Sequence, residues 1–453
     1  MGLKNYSISG MRDFSFLEVR KREYIINILK ELFELYGFSP LETPSMEKRD
    51  VLFGKYGDDG DKLIYQILKS GNFLSKVENI DNLEDYKKCS NLISDKALRY
   101  DLTIPFARYV VQNSENITFP FKRYQIQKVW RADRPQKGRY REFTQCDVDV
   151  IGSSSLWSEC DLICVFSDFF QKLGFNNNVV LKINNRKVLE GIFELLDIEC
   201  DFASFCLSID KIEKMGKEYF YDFLSQKKCS PLKSKLIKKL FDMDSNNLSK
   251  LDFLKSNFVN DKVNKGVEEL LFILDKIKSS KIDFTVDFSL ARGIDYYTGT
   301  IFEIVSNQTS IGSLGGGGRY DELTKIFGKD LGSGVGISFG LERIYVLLDE
   351  LNLFPDYINK TLDVLFVNLG EKEASISQDF VILLRKNGIS SELYPDLVKL
   401  KKQMSYSNKK DIKYTAIIGE DELSSGKINI RNMKTGNQDL LTIDELIKKI
   451  KNE

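Results

Sequence analysis

The sequence predicts an α+β protein in which a strand-rich core is interrupted by a helical module and followed by a small α/β domain. Three stretches predict it. Residues 122–152 hold two runs of period-two alternation around a basic loop, the pattern of a long hairpin. Asn184 to Ser280 is lysine-rich, helix-patterned and free of strand alternation. From Leu362 onward strands and helices alternate, which implies a small mixed or parallel sheet. The expected domains are residues 1–355, with the insertion at about 184–280, and residues 361–453, with a linker from Leu351 to Lys360 between them.

Composition narrows the chemistry. At 453 residues and 42% hydrophobic, the chain can bury a large core and should divide into about two to four domains. No stretch approaches the roughly 20 apolar residues of a membrane span, and the amino terminus lacks the apolar core of a signal peptide. A cytoplasmic location and no membrane partner are expected. Seven cysteines, odd in number and without a Cys-x-x-Cys pair, speak against a disulfide framework or a zinc ribbon and read as core thiols. With 66 basic and 66 acidic residues, any nucleic-acid contact must come from local patches. The chain has no histidine, which excludes Ser/His triads, histidine general bases and histidine metal ligands. Its chemistry falls to arginine, carboxylate, amide, tyrosine and metal, and no residue is singled out as a metal ligand.

Phe16 to Tyr36 carries Ile25, Ile28, Leu29, Leu32 and Leu35/Tyr36 at helical spacing and ends at Gly37; a strand is then expected to run to Pro44. Leu98 to Val110 reads as a short strand passing through Pro105 into a helix. On a strand, Asp101 and Thr103 would face one side and hold an ammonium group; in a turn, Asp101 would cap the helix. In the hairpin, Tyr124, Ile126 and Trp130 share one face of the outgoing strand, with Gln127 and Arg131 opposite. Cys146, Val148 and Val150 share a face of the returning strand, with Gln145, Asp147 and Asp149 opposite. Arg131, Arg134, Lys137, Arg139 and Arg141 outnumber Asp133 and Glu142 in the loop, a positive field suited to phosphates or a solvated charged edge.

Glu159 to Leu173 follows as a helix with Cys160, Ile163/Cys164 and Phe166/Phe170 inward. After the insertion, alternation returns at Phe284, Val286, Phe288 and Leu290 and leads to Arg292 beside two tyrosines, Tyr296 and Tyr297. An arginine there must meet an anion, because burying it unpaired is too costly. Gly315 to Gly318 lacks the Gly-Lys-[Ser/Thr] of a P-loop and the strand–GxGxxG–helix unit of a dinucleotide fold. Gly332 to Gly340 reads as a glycine-rich strand feeding a helix with Leu341, Ile344, Leu347/Leu348 and Leu351 inward. Arg343 falls in that helix's first turn, where an anion meets free N–H groups and a guanidinium together.

These segments carry a resemblance. Arg131-x-Asp133, then Arg-Pro-Gln-Lys-Gly-Arg-Tyr-Arg-Glu-Phe ending at Phe143, then Gln145 and Asp149, resembles motif 2 of class II aminoacyl-tRNA synthetases in the version of the histidyl-tRNA synthetases. Helix, Tyr36-Gly37-Phe38 and Thr43-Pro44 resemble motif 1, the dimer-forming element. Arg99 to Arg108 resembles the segment that holds the amino acid's α-amino group. Residues 291–303 and 315–328 resemble the two histidine-specific boxes, 332–344 resembles motif 3, and 414–432 resembles the family's anticodon-binding domain.

The resemblance implies the class II antiparallel sheet with flanking helices, a helical insertion, a C-terminal α/β anticodon-binding domain and a homodimer. It implies L-histidine, ATP with Mg²⁺, and tRNA(His) as ligands. In that assignment Arg131, Arg292 and Arg343 are catalytic. Histidine is bound by Asp101, Thr103, Arg131, Gln145, Asp149, Arg292, Tyr296 and Tyr297, with Asp149 and Tyr297 on the imidazole. ATP is bound by Arg131, Asp133, Phe143 and Arg343, and Arg134 and Gln136 touch the tRNA acceptor end. At Asp149 the bacterial pattern has Glu, and Gln145-Cys-Asp-x-Asp149 is closer to the eukaryotic type. The alternative within this fold is a synthetase-like regulatory subunit of ATP phosphoribosyltransferase, histidine-sensing and non-charging. Such subunits lack the anticodon domain and parts of the motif set that this chain keeps.

Overall fold

The computed structural model describes residues 7–74, 86–175, 178–278, 280–292, 296–309, 311–359 and 361–452. Gly293, Ile294 and Asp295 of the first histidine box and Lys360 of the expected linker lie outside the described residues. Two compact units divide the chain, Met1–Leu353 and Phe354–Glu453.

In the first unit, helix α1 (Phe16–Leu35) opens with a reciprocal cap: the Ser15 side chain accepts from the Glu18 N–H, and the Glu18 carboxylate accepts from the Ser15 N–H at 2.8 Å. It buries Ile25, Leu29, Leu32 and Phe33. Leu35, expected inward, is 76% exposed, because the buried stripe drifts to Phe33 and leaves the last turn's outer side to solvent. The strand expected to reach Pro44 is only β1 (Ser39–Pro40). Beyond it the chain leaves for a separate three-stranded sheet, order β2-β4-β3, made of β2 (Met46–Lys48), β3 (Gln66–Leu68) and β4 (Ser94–Leu98). Short helices α2 (Arg49–Leu52), α3 (Gly57–Asp61) and α4 (Tyr86–Ile93) connect them.

Helix α5 (Thr103–Gln112) starts earlier than expected, with Pro105 inside its first turn, where a missing N–H is tolerated. Asp101 and Thr103 therefore do not share a strand. Asp101 takes the capping role instead, Oδ1 accepting from the Ile104 N–H at 3.2 Å. The hairpin is β5 (Phe121–Trp130) and β6 (Glu142–Ile151), followed by α6 (Trp157–Lys172) and β7 (Val179–Asn185). Asn184 and Asn185 belong to β7, so the helical insertion begins at Arg186. It comprises α7 (Arg186–Leu196), α8 (Phe202–Asp210), α9 (Ile212–Met215), α10 (Lys217–Gln226), α11 (Pro231–Asp242), α12 (Asn247–Asn257) and α13 (Asp261–Lys276).

The chain then returns through β8 (Asp283–Val286), β9 (Thr300–Ser306), β10 (Ser313–Tyr320), β11 (Gly334–Gly340) and α14 (Leu341–Glu350). Strand β8 stops at Val286; Phe288 and Leu290 lie past its end and are buried in a turn rather than paired. The main sheet has the order β1-β5-β6-β11-β10-β9-β7-β8. It is antiparallel except at its two edges, where β1 joins β5 and β8 joins β7 in parallel. Gly315 to Gly318, excluded above as a phosphate loop, is the interior of β10.

The second unit holds β12 (Val364–Phe366), α15 (Glu371–Lys386), β13 (Ser391–Leu393), α16 (Leu400–Lys409), β14 (Tyr414–Ile417), α17 (Glu420–Ser425), β15 (Ile428–Asn432), β16 (Gln438–Leu441) and α18 (Ile443–Lys451). Its sheet, order β13-β12-β14-β15-β16, is parallel through β14 and antiparallel beyond, the mixed form of the expected alternatives. Cys146, Cys160 and Cys206 are buried free thiols as expected, whereas Cys89, Cys164, Cys200 and Cys229 are only partly buried. Among the described residues no helix is long and apolar enough to cross a membrane.

One buried ion pair locks β10 to α6. Arg319 donates from Nε to Glu159 Oε1 at 2.6 Å and from Nη2 to Oε2 at 2.5 Å, and its remaining N–H groups reach the carbonyls of Ser153 and Ser155 at 3.0 Å. Both side chains are almost wholly buried. Replacing Arg319 with Met strands the Glu159 carboxylate and should remove about 3–5 kcal/mol of stability. Urea unfolding followed by Trp130 and Trp157, the chain's two tryptophans and both in the first unit, measures it; a loss below about 1 kcal/mol would show the pair to be dispensable.

Candidate active site

Strands β6, β11 and β10 form the floor of a cavity of about 530 Å³. Hairpin register decides what faces it. Arg123 lies opposite Asp149, Gln125 opposite Asp147 and Gln127 opposite Gln145, so one face of both strands is polar. Tyr124 opposite Val148 and Ile126 opposite Cys146 form the apolar face. On the other side of β6, Gly336 pairs with Asp149 and Ser338 with Asp147. A Cβ at Gly336 would stand 1.9 Å from Asp149 Oδ1, so only glycine leaves that carboxylate its place.

The acidic wall is held by neighbouring side chains at one end. Asp149 sits 2.8 Å from Arg123 Nη2 and accepts from the Tyr320 hydroxyl at 2.7 Å. Arg123 has no exposed surface; its charge is met by that carboxylate and by the Phe106 ring 4.2 Å below. Nε and Nη1 of Arg123 have no hydrogen-bond partner. Burial pushes the Asp149 carboxyl above its ordinary range, and Arg123 and Tyr320 oppose that rise. Asp147 is pushed up to about 7, first by burial and further by Asp149, with Arg123 and Ser338 pulling the other way. Gln145 Nε2 points at Ser338 Oγ, 3.3 Å away, and its Oε1 is buried without a partner. Asp101 Oδ1 accepts from the Tyr56 hydroxyl at 2.8 Å, and burial raises its pKa. Tyr296 pairs with Thr103, and its ring meets Tyr297 edge to face at 4.9 Å.

Across from these acids stand arginines. Arg131, one residue past β5, donates Nε to the Tyr100 carbonyl at 3.0 Å and lies over the Tyr100 and Phe143 rings at 4.3 and 5.2 Å. Arg292 has φ +51°, a left-handed backbone that strains a non-glycine residue by about 1–3 kcal/mol. Its Nη1 donates to the Phe302 carbonyl at 2.9 Å and lies where a Cβ on Gly316 would be, at 1.8 Å. Arg343, in the first turn of α14, donates Nη1 to the Ser313 carbonyl at 2.7 Å. Its pKa is lowered by burial and by the neighbouring Arg139, Arg292 and Arg131, with Glu303 the opposing charge. Helix α14 is itself anchored by the buried Glu342–Arg22 ion pair, and Arg22 also donates to Thr144 Oγ1 at 3.1 Å.

Eleven of the sequence-selected residues thus line one cavity: Asp101, Thr103, Arg131, Asp133, Phe143, Gln145, Asp149, Arg292, Tyr296, Tyr297 and Arg343. Asp133 is not free to take a ligand proton, because Arg139 grips it through Nε at 3.0 Å and Nη2 at 2.8 Å. Arg134 and Gln136 lie outside the cavity on an exposed loop tip, closed by reciprocal hydrogen bonds between Gln136 and Arg139 backbones at 3.0 and 2.9 Å. Gly138, at φ +70°, makes that turn. Three cavity groups were missed, Tyr56, Asp147 as a titrating group, and Tyr320, and so was Arg123, buried behind Asp149. Arg123 was within reach, since the polar period-two face that includes Gln127 continues back through Gln125 to Arg123. Tyr56 carries no such signal, and its pairing with Asp101 is a product of packing.

The raised Asp147 pKa has a stability consequence. The folded state holds this proton more tightly than the unfolded state, so the stability it lends is complete below about pH 4 and lost as pH rises through about 7. Asp147→Asn removes the titration. The variant should gain on the wild type by on the order of 2–4 kcal/mol between pH 4.5 and pH 8 in urea unfolding; a difference independent of pH would mean that Asp147 titrates alike in both states.

Comparison with known proteins follows the same lines. The family model described as Histidyl-tRNA synthetase matches residues 89–344, and the Anticodon binding domain matches residues 363–453. A histidine–tRNA ligase of Christiangramia forsetii is 48% identical over 447 residues, covering 96% of this chain and 97% of that one. One of Phocaeicola vulgatus is 45% identical, covering 98% of each. The crystal structure of histidyl-tRNA synthetase from a Nostoc species superposes with a TM-score of 0.81 at 29% identity, covering 99% of this chain and all of that one. A Bacillus halodurans protein titled as an ATP phosphoribosyltransferase regulatory subunit/histidyl-tRNA synthetase shares the fold at TM-score 0.70 and 16% identity.

Proposed function

The chain belongs to the histidyl-tRNA synthetase family, and we propose the following division of labour for its site. The protein is a class II aminoacyl-tRNA synthetase that attaches L-histidine to tRNA(His) with ATP, through a histidyl-adenylate; a non-charging regulatory role is not favoured. The observation that carries the division is the convergence of Arg131, Arg139, Arg292 and Arg343 on one side of a cavity whose opposite wall is acidic. Crowded guanidiniums, among which Arg139 is paired with a carboxylate, Asp133, are a preorganised receptor for a polyphosphate and a carboxylate. The acids suit a cation and an imidazole.

Asp101 and Thr103 receive the α-ammonium group. Asp149, with its charge set by Arg123 and one oxygen shared with Tyr320, receives the imidazole N–H, and Tyr297 pairs the other ring nitrogen. Gln145, with its unpartnered Oε1, orients the amino acid. Adenylation is an in-line displacement at the α-phosphate, in which an anionic carboxylate approaches a centre already rich in negative charge. Arg131 and Arg292 relieve that repulsion and hold the non-bridging oxygens, while Arg343 reaches the γ-phosphate and packs with Phe143 around the adenine. Asp133 contributes through Arg139, which it orients.

Mg²⁺ accompanies ATP in this reading. The phosphates of ATP would hold the ion. The ion would neutralise phosphate charge. A homodimer and a cytoplasmic location complete the proposal. Phe16 and Leu35 at the two ends of α1, 62% and 76% exposed, offer the apolar surface that a partner subunit would cover.

Arg292→Lys keeps a charge and loses the planar fork. Single-turnover adenylate formation should fall by about 100-fold or more while equilibrium histidine binding stays within a few-fold; near wild-type chemistry would remove Arg292 from the mechanism. Arg134 and Gln136 are assigned to the acceptor end of tRNA(His). Replacing both with alanine should lower aminoacylation by about tenfold with ATP–pyrophosphate exchange retained; equal losses in the two assays would assign the loop tip to ATP alone.

A further inference from the structure

The segment ahead of α1 is tied to the loop that carries the site's arginines. Residues 7–15 form no helix or strand, yet three hydrogen bonds join them to two consecutive loop residues, Tyr140 and Arg141. The Arg141 N–H donates to the Gly10 carbonyl at 2.8 Å, Arg141 Nη1 donates to the Ser9 carbonyl at 3.1 Å, and Arg12 Nη1 donates to the Tyr140 hydroxyl at 2.8 Å. Arg141 also fastens the loop to itself. Its Nε donates to the Asp133 carbonyl at 3.1 Å and its own carbonyl accepts from the Arg131 N–H at 2.9 Å, which closes the base of the loop around one residue. The segment therefore bears on both arms, through Arg131 and Asp133 on one and Tyr140 on the other.

Gly10 shows how close the fit is. At φ +81° it takes a backbone that favours glycine, and a Cβ there would stand 2.8 Å from Pro135 Cγ and 2.9 Å from Arg141 Cγ. Pro135 lies between Arg134 and Gln136, so the segment supports the loop tip as well as its base. The other end of the segment is braced on α1. Arg12 Nη2 donates to Glu18 Oε1 at 2.6 Å, the carboxylate that also caps α1, and the Phe14 ring lies 4.3 Å from the Arg22 guanidinium. Arg22 in turn pairs with Glu342, the residue before Arg343. One run of contacts thus reaches from the loop to the start of α14, and the two meet again where a Cβ on Gly138 would come within 3.1 Å of Arg343 Cγ. Arg139, Tyr140 and Arg343 all line the cavity.

We propose that residues 7–15 are a positioning strap for the ATP half of the cavity, with Gly10 and Arg12 holding Tyr140 and Arg141 so that the loop and Arg139 stand at a set distance from Arg343. This rests on the reading of Arg131, Arg139 and Arg343 as the polyphosphate receptor. The amino-acid end is held by other bonds, Asp149 by Arg123 and Tyr320 and Asp101 by Tyr56, so loss of the strap falls on ATP. Folding is little engaged. The Arg12 side chain is 37% exposed and that of Glu18 26%, an ion pair of the kind that adds little to stability.

The test uses the full chain and compares wild type with Arg12→Ala, Arg12→Lys, Tyr140→Phe, the Arg12→Ala/Tyr140→Phe double variant and Arg343→Ala. KM for ATP and kcat in histidine-dependent ATP–pyrophosphate exchange, equilibrium histidine binding and thermal unfolding are measured on each. Arg12→Ala should raise KM for ATP by about tenfold with histidine affinity and unfolding temperature unchanged, a split that a general loss of structure does not give. Arg12→Lys keeps the charge and a donor, and should lose only about threefold. Tyr140→Phe removes the accepting hydroxyl alone and should raise KM for ATP by about fivefold. Adding Arg12→Ala to it should cost less than Arg12→Ala costs the wild type, because the two act through one bond. Wild-type KM for ATP in Arg12→Ala, full additivity in the double variant, or an equal loss of histidine affinity overturns the inference. If Arg12→Ala fails to fold, Arg12→Lys and Tyr140→Phe, alone and combined, carry the same comparison. A wild-type KM for ATP in Arg343→Ala would instead count against the reading of the ATP half, which keeps the two failures distinguishable.

Discussion

The site depends on the pairing register of one hairpin. With Arg123 across from Asp149 and Gln125 across from Asp147, every polar residue of β5 and β6 that faces the cavity has a cross-strand neighbour it can bond or neutralise. A slip of one residue would turn the whole stripe into the apolar layer beneath and bring Tyr124, Ile126, Cys146 and Val148 into the cavity. The apolar face opposes the slip, since those side chains are packed under α1 and α14. Burial of carboxylates in the middle of a sheet is thereby tolerated, and β11 accommodates it with glycine where Asp149 needs room.

Charge in the cavity is only partly paired. Arg123 pairs with Asp149, and burial pushes the neighbouring Asp147 up to about 7 although Arg123 opposes it. Across the floor, Arg131, Arg139, Arg292 and Arg343 crowd one another, and Arg343 is less basic for it. Histidine and ATP together present the complementary distribution, an ammonium and an imidazole at one end and a chain of anions at the other. Those charges meet groups of opposite sign already in place, so binding and transition-state stabilisation draw on one preorganised field.

Backbone features serve the same end. Gly316 exists as a side-chain-free place beneath the Arg292 head group, and the left-handed backbone of Arg292 is the price of aiming that head group back over the sheet. Arg319, from the same strand as Gly316, ties β10 to α6 through Glu159, so the floor under Arg292 is anchored to the helical layer behind it. Beyond the cavity, the motif 2 loop is held by the amino-terminal segment, with the Arg141 N–H on the Gly10 carbonyl at 2.8 Å and Arg12 on the Tyr140 hydroxyl at 2.8 Å.

Periodicity and spacing were enough to determine the hairpin, the helical character of the insertion and the strand–helix alternation of the second unit, and resemblance to a known family picked out the eleven residues that line the cavity, because each of these is written in a local pattern of polarity or in a motif of contiguous residues. They did not determine where elements end. The strand expected to reach Pro44 stops at Pro40, α5 begins at Thr103 and turns Asp101 into a cap, and Asn184 stays in the sheet, since each boundary is set by which backbone groups find partners across the fold. Nor did they determine partnership. Arg139 claims Asp133, Arg123 and Tyr320 share Asp149, Tyr56 takes Asp101, and Arg186 reaches across from the insertion to the carbonyl of Ala291. Sequence carries the kind of group and its side of a strand. Which of several equal charges it meets is a matter of distances between residues far apart in the chain, and only tertiary packing sets those.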